Sequence, residues 1–350
     1  MAITLSRPAA RATAGPPRGD YSALPQELYI ESTTRCNEHC DQCPRTHLSR
    51  ELDRDISLDE VRGIVEQLPA LRRVVLHGLG EPLMNRELPV IVTYLRARGV
   101  HVLFNTNALL LNESRGRAMI DAGLNELRIS IDGATAATYA RIRGVNHRAL
   151  PHTVKNVKAF ETLKRRLGEE LPRTSLWFTA MRENFHELPL LVDIAAEMEV
   201  QEVYVQRFIY FGKGLAREDQ TLSRRVQVEE LALLREAEDR CRALGIAFRA
   251  TGAATPAAYL GPGAQLVDPR PWSGCARPYT LAYITAHGNV YSCCFAPFNP
   301  GPRSEKVLGN VFNEPLEEIW TGDRYSAFRA AFESDSPRSQ CAGCGSQWSL

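Results

Sequence analysis

The 350-residue sequence contains no apolar run long enough to cross a bilayer, and Met1 to Tyr21 lacks the apolar core of a secretory signal. It also lacks an excess of charge of either sign, because 42 Lys and Arg against 41 Asp and Glu give a net charge of +1. This balance excludes a broad electrostatic footprint for nucleic acid or a membrane surface, although it leaves room for a local basic pocket. We therefore expect a folded cytoplasmic protein with neither of those partners.

The chain ends differ in character from its middle. Residues 1–25 are rich in Arg, Ala and Pro, with no acid before Asp20, which predicts a disordered or extended tail. A transit peptide is the alternative, since it has a similar composition. Nine cysteines without an export signal favour metal ligation in a reducing compartment over disulfides.

Three of these cysteines, Cys36, Cys40 and Cys43, form a C-x3-C-x2-C run directly after a short apolar strand. Three thiolates on one tight loop can hold three irons of a four-iron cluster and leave the fourth iron open to a small molecule. A structural zinc site is the alternative, but it closes with four ligands, and only His39 and His47 are nearby candidates for the fourth.

The segment around Cys36 resembles the radical S-adenosylmethionine (SAM) superfamily, although Gln42 replaces the aromatic residue that usually precedes the third cysteine. The resemblance implies a cluster with an open iron site that cleaves bound SAM reductively to a 5′-deoxyadenosyl radical, which then abstracts a substrate hydrogen. It also implies an external reducing system, such as flavodoxin or ferredoxin.

Short β-branched segments alternate with amphipathic ones from Leu28 onward, which is the signature of parallel βα units. The capping box Ser57–Glu60 opens the first helix, and Gly99 and Gly123 follow the next two. The fold class is therefore α/β, with a partial (β/α)6 TIM-like barrel over 26–254. The predicted strands are Leu28–Glu31, Arg73–His77, Val100–Asn105, Glu126–Ile131, Ser175–Met181 and Glu202–Phe208.

Polar residues follow several of these strands at the edge where parallel barrels gather reactive groups. Gly78, Gly80 and Glu81 form a turn similar to the family's Gly-Gly-Glu-Pro motif, which holds the methionyl amine of SAM. An ordinary turn is the alternative for this segment.

The later strand ends supply hydroxyl, amide and carboxylate groups suited to ribose. Arg143 is expected to meet a carboxylate of the nucleoside or to cap its helix, and Arg207 is expected on the substrate side. Loop caps and Asx-turns are the alternative for the smaller side chains. The remaining candidates for cofactor binding are Asn105, Asn107, Ser130 and Asp132.

A second group of cysteines lies in the Pro- and Gly-rich region 255–350, which we expect to form a small domain with a β-hairpin and a helix. The hairpin turns at His287–Asn289 and carries Cys293 back toward Cys275, while Cys341 and Cys344 form a C-x2-C pair. Four thiolates suit either zinc or a four-iron cluster. The arrangement resembles the twitch or SPASM extension of radical SAM enzymes, which implies one auxiliary 4Fe-4S cluster.

Two cysteines lie outside both ligand sets. Cys294 is a packed neighbour, a substitute ligand or a hydrogen-atom donor. Cys241 recurs with Leu234, Ala237 and Leu244 at helical spacing, which predicts a buried core thiol.

The sequence thus favours a radical SAM oxidoreductase, of dehydrogenase or epimerase type, that acts on a sugar, an aminocyclitol or a related small molecule. An auxiliary cluster suits a net oxidation because it can accept an electron. Oxidation or crosslinking of a ribosomal peptide is the alternative. A non-catalytic zinc or iron–sulfur protein is the alternative from another class.

Overall fold

The computed structural model describes residues 23–48, 52–206, 208–222, 228–250, 272, 275–299, 301–342 and 344. The expected tail up to residue 22, the expected domain boundary at 254 and 255, and Arg207 lie outside the described residues.

A single ten-stranded sheet organises the described chain, in the order β10-β9-β8-β1-β2-β3-β4-β5-β6-β7. Strands β1 to β8 pair in parallel wherever they are neighbours, and β9 and β10 are antiparallel. The strands are β1 Glu27–Ile30, β2 Arg73–Val75, β3 His101–Thr106, β4 Glu126–Ser130, β5 Arg173–Thr179, β6 Glu202–Gln206, β7 Ala247–Ala250, β8 Leu281–Ile284, β9 Asn289–Tyr291 and β10 Gly309–Asn310.

The helices connect these strands in βα order. They are α1 Pro44–His47, α2 Leu58–Val65, α3 Leu88–Ala97, α4 Glu113–Asp121, α5 Ala136–Arg143, α6 Ala149–Leu167, α7 Leu188–Met198, α8 Val228–Leu244, α9 Arg277–Thr280, α10 Arg303–Lys306, α11 Leu316–Thr321, α12 Asp323–Glu333 and α13 Ser339–Ala342. Short 3-10 turns occupy Pro82–Met84, Phe185–Glu187 and Glu218–Gln220. No helix among the described residues combines the length and apolar character that a membrane span requires.

The six predicted parallel strands are present in the predicted order, which confirms the partial barrel. The seventh strand, β7, was not predicted because Ala247–Ala250 contains no β-branched residue and is only four residues long. It is specified by its pairing with β6.

The C-terminal hairpin is present, but it is joined to the barrel sheet. Strand β8 pairs in parallel with β1, so that Tyr29 lies opposite Tyr283 and Ile30 opposite Ile284. The two cysteine-bearing regions therefore share one continuous sheet. This edge pairing could not be predicted, since strands separated by about 250 residues carry no local signal of their register.

The helix termini have the capping features that the sequence predicts. The Ser57–Glu60 capping box forms with both reciprocal hydrogen bonds, and Gly99 and Gly123 have φ of +75° and +73° at helix ends. Cys241 is fully buried, as expected, but Leu244 at the end of the same stripe is 52% exposed.

Alternation along the strands separates two faces of the sheet. Leu28 and Ile30 are fully buried in the main hydrophobic core with the helices. Tyr29, between them, points to the other face, where it lines a cavity together with residues from β2, β4, β5, β6 and β7. The second face is therefore the concave inside of the partial barrel.

Candidate functional site

The loop that carries Cys36, Cys40 and Cys43 follows β1 at the carboxyl edge of the sheet. The backbone N–H of Asp41 donates to the carbonyl oxygen of Ile142 at 2.8 Å, and that of His39 donates to the carbonyl of Arg143 at 3.3 Å. These bonds attach the loop to the end of α5. Its three thiols are free and partly exposed, and Cys43 directly precedes the short helix α1.

The three thiols lie in surroundings that disfavour a lone thiolate. Burial raises the pKa of Cys36 to about 11, raises the pKa of Cys40 well above its usual value and raises that of Cys43. A positively charged metal group would offset this cost, and three soft sulfur donors match the ligand preference of an iron–sulfur cluster. Within the described part of the chain, no three His, Cys, Asp or Glu side chains converge closely enough to hold a single metal ion.

A buried ion-pair network lies beneath the cysteine loop. Arg143 donates through one terminal nitrogen to Glu38 at 2.9 Å and through the other to Asp132 at 2.8 Å. Burial alone would lower the pKa of Arg143, but the carboxylates of Asp132 and Glu38 hold it well above its usual value. Glu38 also contacts the Cys40 sulfur at 3.5 Å, so the network supports the loop directly.

Asp132 and Arg143 were expected to face a nucleoside, and the structure pairs them with each other. Gln42 Nε2 donates to Asp132 at 2.8 Å, while Gln42 Oε1 and Arg143 Nε are buried and have no hydrogen-bond partner among the described residues. Buried polar atoms are nearly always satisfied, so these two atoms mark where a polar ligand could bind. Gln42, which departs from the usual aromatic residue, is thus part of the candidate cofactor pocket.

Glu81 is a buried acceptor that connects the loop after β2 to the end of β3. Its carboxylate accepts from Leu83 N at 3.1 Å, Thr106 Oγ1 at 2.6 Å and Asn107 N at 2.8 Å. Burial raises the pKa of Glu81 to about 7. A carboxylate offers about four acceptor positions, so roughly one remains for the expected ammonium group.

Gly78 and Gly80 are required for close packing of this loop against the segment after β1. A Cβ on Gly78 would lie 2.3 Å from the side chain of Glu31, and one on Gly80 would lie 2.2 Å from the carbonyl oxygen of Thr33. The second contact is with backbone, which cannot rotate away. The two glycines therefore serve the assembly of the cysteine loop, a role that the sequence analysis did not assign to them.

The remaining candidates divide into two kinds. Asn107 is 4% exposed and donates to Asn37 Oδ1 at 2.8 Å, so it braces the cysteine loop. Asn105 and Ser130 are half-buried on the concave face and form no side-chain hydrogen bond with any described residue. Of these remaining candidates, Asn105 and Ser130 therefore have side chains that can bind a ligand.

Glu31 has a structural role that the sequence analysis missed. Its buried carboxylate accepts from Leu79 N at 2.7 Å and from Ala286 N at 3.1 Å. It therefore connects β1 to the loop after β2 and to the C-terminal hairpin. The one local signal was an acid placed at the end of an apolar strand.

The second cysteine group assembles at the hairpin. The pKa of Cys293 is raised to about 12 by burial and by Cys294, with Cys344 and Cys275 adding to the effect. The pKa of Cys341 is raised by burial and by Cys293, Cys344 and Cys275. The four thiols of the predicted ligand set are therefore close enough to interact, and their donor chemistry fits a four-thiolate cluster.

Cys294 lies beside this group and packs in the same cluster as Cys293, around Tyr283 and Tyr291. Burial raises the pKa values of Tyr29 and Tyr283, and Cys294 adds to both shifts and to that of Cys293, whereas it is not among the residues that shift the pKa of Cys341. This placement suits the packed-neighbour alternative. Its proposed use as a hydrogen-atom donor stays a prediction.

Comparison with known families agrees with both cysteine groups. The model of the radical SAM superfamily matches residues 30–169, and the model of the SPASM iron–sulfur cluster-binding domain matches residues 275–345. The chain thus carries a radical SAM domain followed by a SPASM domain. Its cofactors are accordingly SAM, a 4Fe-4S cluster and an auxiliary iron–sulfur cluster, as the sequence analysis expected.

Two curated relatives and one solved structure describe the similarity. PqqA peptide cyclase of Gluconobacter oxydans is 26% identical over 93% of this chain and 84% of that protein. Fe-coproporphyrin III synthase of Methanosarcina barkeri is 26% identical over 58% of this chain, and the match spans only 49% of that synthase. The crystal structure of Streptococcus suis SuiB bound to SAM superposes with a TM-score of 0.67 at 18% identity, over 88% of this chain and 68% of SuiB, which shows the shared fold.

At the amino end of the barrel, the concave face forms a cavity of about 400 Å³ that the sequence did not predict. Arg128 lies 4.2 Å from the centre of the Trp177 ring, and that ring stacks on Tyr204 at 4.0 Å. Arg128 and Ser130 are two residues apart on β4, which places the cavity about 7 Å below Ser130. The charged residues of its lining are Arg73, Glu126, Arg128, Arg173, Glu202 and Arg249.

Proposed function

We propose that this radical SAM enzyme modifies a ribosomally made peptide by oxidising or crosslinking one of its side chains. The observation that carries the proposal is the match to PqqA peptide cyclase along 93% of the chain. Neither relative named above is described as acting on a sugar or an aminocyclitol. The comparisons therefore favour the peptide alternative over the small-molecule substrate that the sequence analysis preferred.

The residues of this chain would bind and orient the reactants. Cys36, Cys40 and Cys43 would hold the 4Fe-4S cluster, which with bound SAM supplies the 5′-deoxyadenosyl radical. Glu81 offers its free acceptor position to the ammonium group of SAM. Gln42 Oε1 and Arg143 Nε offer one buried acceptor and one buried donor to its polar groups.

The cavity supports a peptide substrate by its size and its lining. About 400 Å³ is near the lower end for small-ligand sites, and it suits one or two amino-acid side chains. Three of the four lining arginines pair with Glu27, Glu126 and Glu202, which leaves Arg173 without an ion pair among the described residues, and the stacked Trp177 and Tyr204 give the cavity a flat apolar wall. An aromatic side chain, with or without an acidic group, matches these features.

Tyr29 connects this cavity to the second cysteine group. It lines the cavity, and it packs in the same cluster as Cys293 and Cys294. A peptide side chain that reaches the cavity would thus lie next to a residue that packs near the second cysteine group. Proximity to an auxiliary cluster suits a net oxidation, in which the electron left on the substrate is accepted by that cluster.

The test is co-expression of the chain with each short open reading frame that flanks its own gene, followed by mass spectrometry of the small peptides. We expect one peptide to lose two hydrogen atoms per modification, and we expect no loss with Cys36→Ala/Cys40→Ala/Cys43→Ala. Cys241→Ala is the matched control, because this thiol is buried in a helix outside both cysteine groups. Deoxyadenosine formation stimulated by a peptide-free metabolite extract, with every peptide unchanged, would contradict the proposal.

A further inference from the structure

A basic groove lies on the outer side of the cysteine loop. It is lined by Asn37, Leu109 and much of the segment 144–155, and its volume is about 670 Å³. None of the described residues that line it is Asp or Glu. The groove belongs neither to the candidate cofactor pocket nor to the concave cavity.

Its positive charge comes from the N-cap residue and the first two turns of α6. Arg148, His152 and Lys155 have the i, i+4, i+7 spacing that places side chains on the same side of a helix. All three are exposed, and neither Arg148 nor Lys155 forms an ion pair within the described part of the chain. In a protein whose net charge is only +1, the groove therefore has a local excess of positive charge that no acidic side chain of its lining balances.

The groove wall is the back of the cysteine loop. Asn37 follows Cys36 directly, and a Cβ on Gly144 would lie 2.4 Å from the carbonyl oxygen of His39. A protein seated in the groove would therefore approach the radical SAM cluster closely, without passing through the barrel.

We infer that the basic groove is the docking surface for an acidic flavodoxin, which delivers the electron that reductive SAM chemistry consumes. In that step the reduced flavin loses one electron and the cluster gains it. A flavodoxin carries its flavin at the carboxyl edge of its sheet, among loops that can project into a concave surface. Complementary charge would raise the association rate and make it depend on salt. The inference depends on the radical SAM assignment and is independent of the peptide substrate.

The first test measures binding of an oxidised, acidic bacterial flavodoxin to the full chain by calorimetry in low and high salt. We expect Arg148→Glu/Lys155→Glu to weaken binding by about tenfold or more, since each change places like charges together. Arg98→Glu/Arg324→Glu is the matched control, because it reverses two exposed charges away from the groove and should leave the affinity within about twofold. A carbodiimide crosslink from a flavodoxin carboxylate should map to Lys155.

The second test compares electron donors. Flavodoxin-driven deoxyadenosine formation should fall in Arg148→Glu/Lys155→Glu, while dithionite-driven formation should match wild type, because dithionite needs no docking surface. Unchanged flavodoxin binding in this variant, equal weakening in the control variant, or a groove-dependent preference for ferredoxin would overturn the inference. Absence of dithionite-driven cleavage in wild type would instead refute the radical function, and the binding result would still stand by itself.

Discussion

The guanidinium of Arg143 and the carboxylate of Asp132 lie 2.8 Å apart, both buried beneath the cysteine loop. Asp132 follows β4 and was expected to contact ribose, whereas Arg143 ends α5 and was expected to meet a carboxylate of the nucleoside or to cap its helix. Their pairing leaves only Nε of Arg143 without a partner among the described residues. The loop that carries the cluster therefore rests on a charged network as well as on apolar packing.

Arg143→Gln should destabilise the cluster-free protein by about 3–5 kcal/mol, because it leaves buried carboxylates uncompensated. The measurement is urea unfolding of the full chain, followed by circular dichroism. Arg141→Gln is the control, since Arg141 forms an exposed pair with Glu183 whose loss should cost at most about 1 kcal/mol. Equal stability of the two variants would show that the buried network is dispensable.

Gly80→Ala should prevent assembly of the radical SAM cluster, because the new Cβ would collide with the carbonyl oxygens of Thr33 and Arg35. After anaerobic reconstitution, iron should fall from about eight per chain to about four. Gly63→Ala is the control, because the same change of glycine to alanine should be tolerated at this position. Gly63 lies in α2 with nothing within 4 Å of its Cβ position, so Ala should retain iron and add up to about 1 kcal/mol of stability.

Cys293→Ala should remove the auxiliary cluster and leave about four irons, whereas Cys294→Ala should retain about eight. The physical reason is that, beyond the effect of burial, Cys344 and Cys275 raise the pKa of Cys293 and Cys293 raises that of Cys341, whereas Cys294 is not among the residues that shift the pKa of Cys341. Iron and sulfide quantification with electron paramagnetic resonance of the reduced protein distinguishes the two variants. If only Cys294→Ala loses iron, then Cys294 is the cluster ligand and Cys293 is the packed neighbour.

Glu187 should stabilise the fold only above moderately acidic pH. Burial alone would raise the pKa of Glu187, but hydrogen bonds from Thr138, Thr135 and Ala134 outweigh it and lower the pKa. Because the folded pKa lies below the unfolded value of about 4.3, the contribution is complete well above that pH and is lost as the pH falls through the folded pKa.

The test of this pH dependence is urea unfolding of wild type and Glu187→Gln between pH 7 and pH 4. We expect a difference of roughly 2 kcal/mol at pH 7, which shrinks below about pH 4.5. Glu236→Gln, which alters an exposed i, i+4 pair with Arg240, should leave the free energy of unfolding unchanged within error at every pH. A difference that grows on acidification would mean that the pKa of Glu187 is raised.

Much of the architecture could be predicted from local patterns. The capping box at Ser57, the left-handed glycines at 99 and 123 and the C-x3-C-x2-C loop each depend on residues within a few positions of one another. Six strands followed from the alternation of βα units in the same way. Strand β7 escaped because its four residues have weak strand propensity and depend on β6 for their pairing.

The sequence by itself thus determined the cluster loops, the order of the barrel strands and the class of cofactor, because these depend on short spacings and on the chemistry of the thiol. Only the tertiary structure decided that the hairpin extends the barrel sheet and that Asp132 pairs with Arg143. It alone placed an arginine- and aromatic-lined cavity at the amino end of the barrel and a basic groove beside the cysteine loop. These features depend on register, burial and charge balance between residues far apart in the chain, for which a local pattern carries no signal.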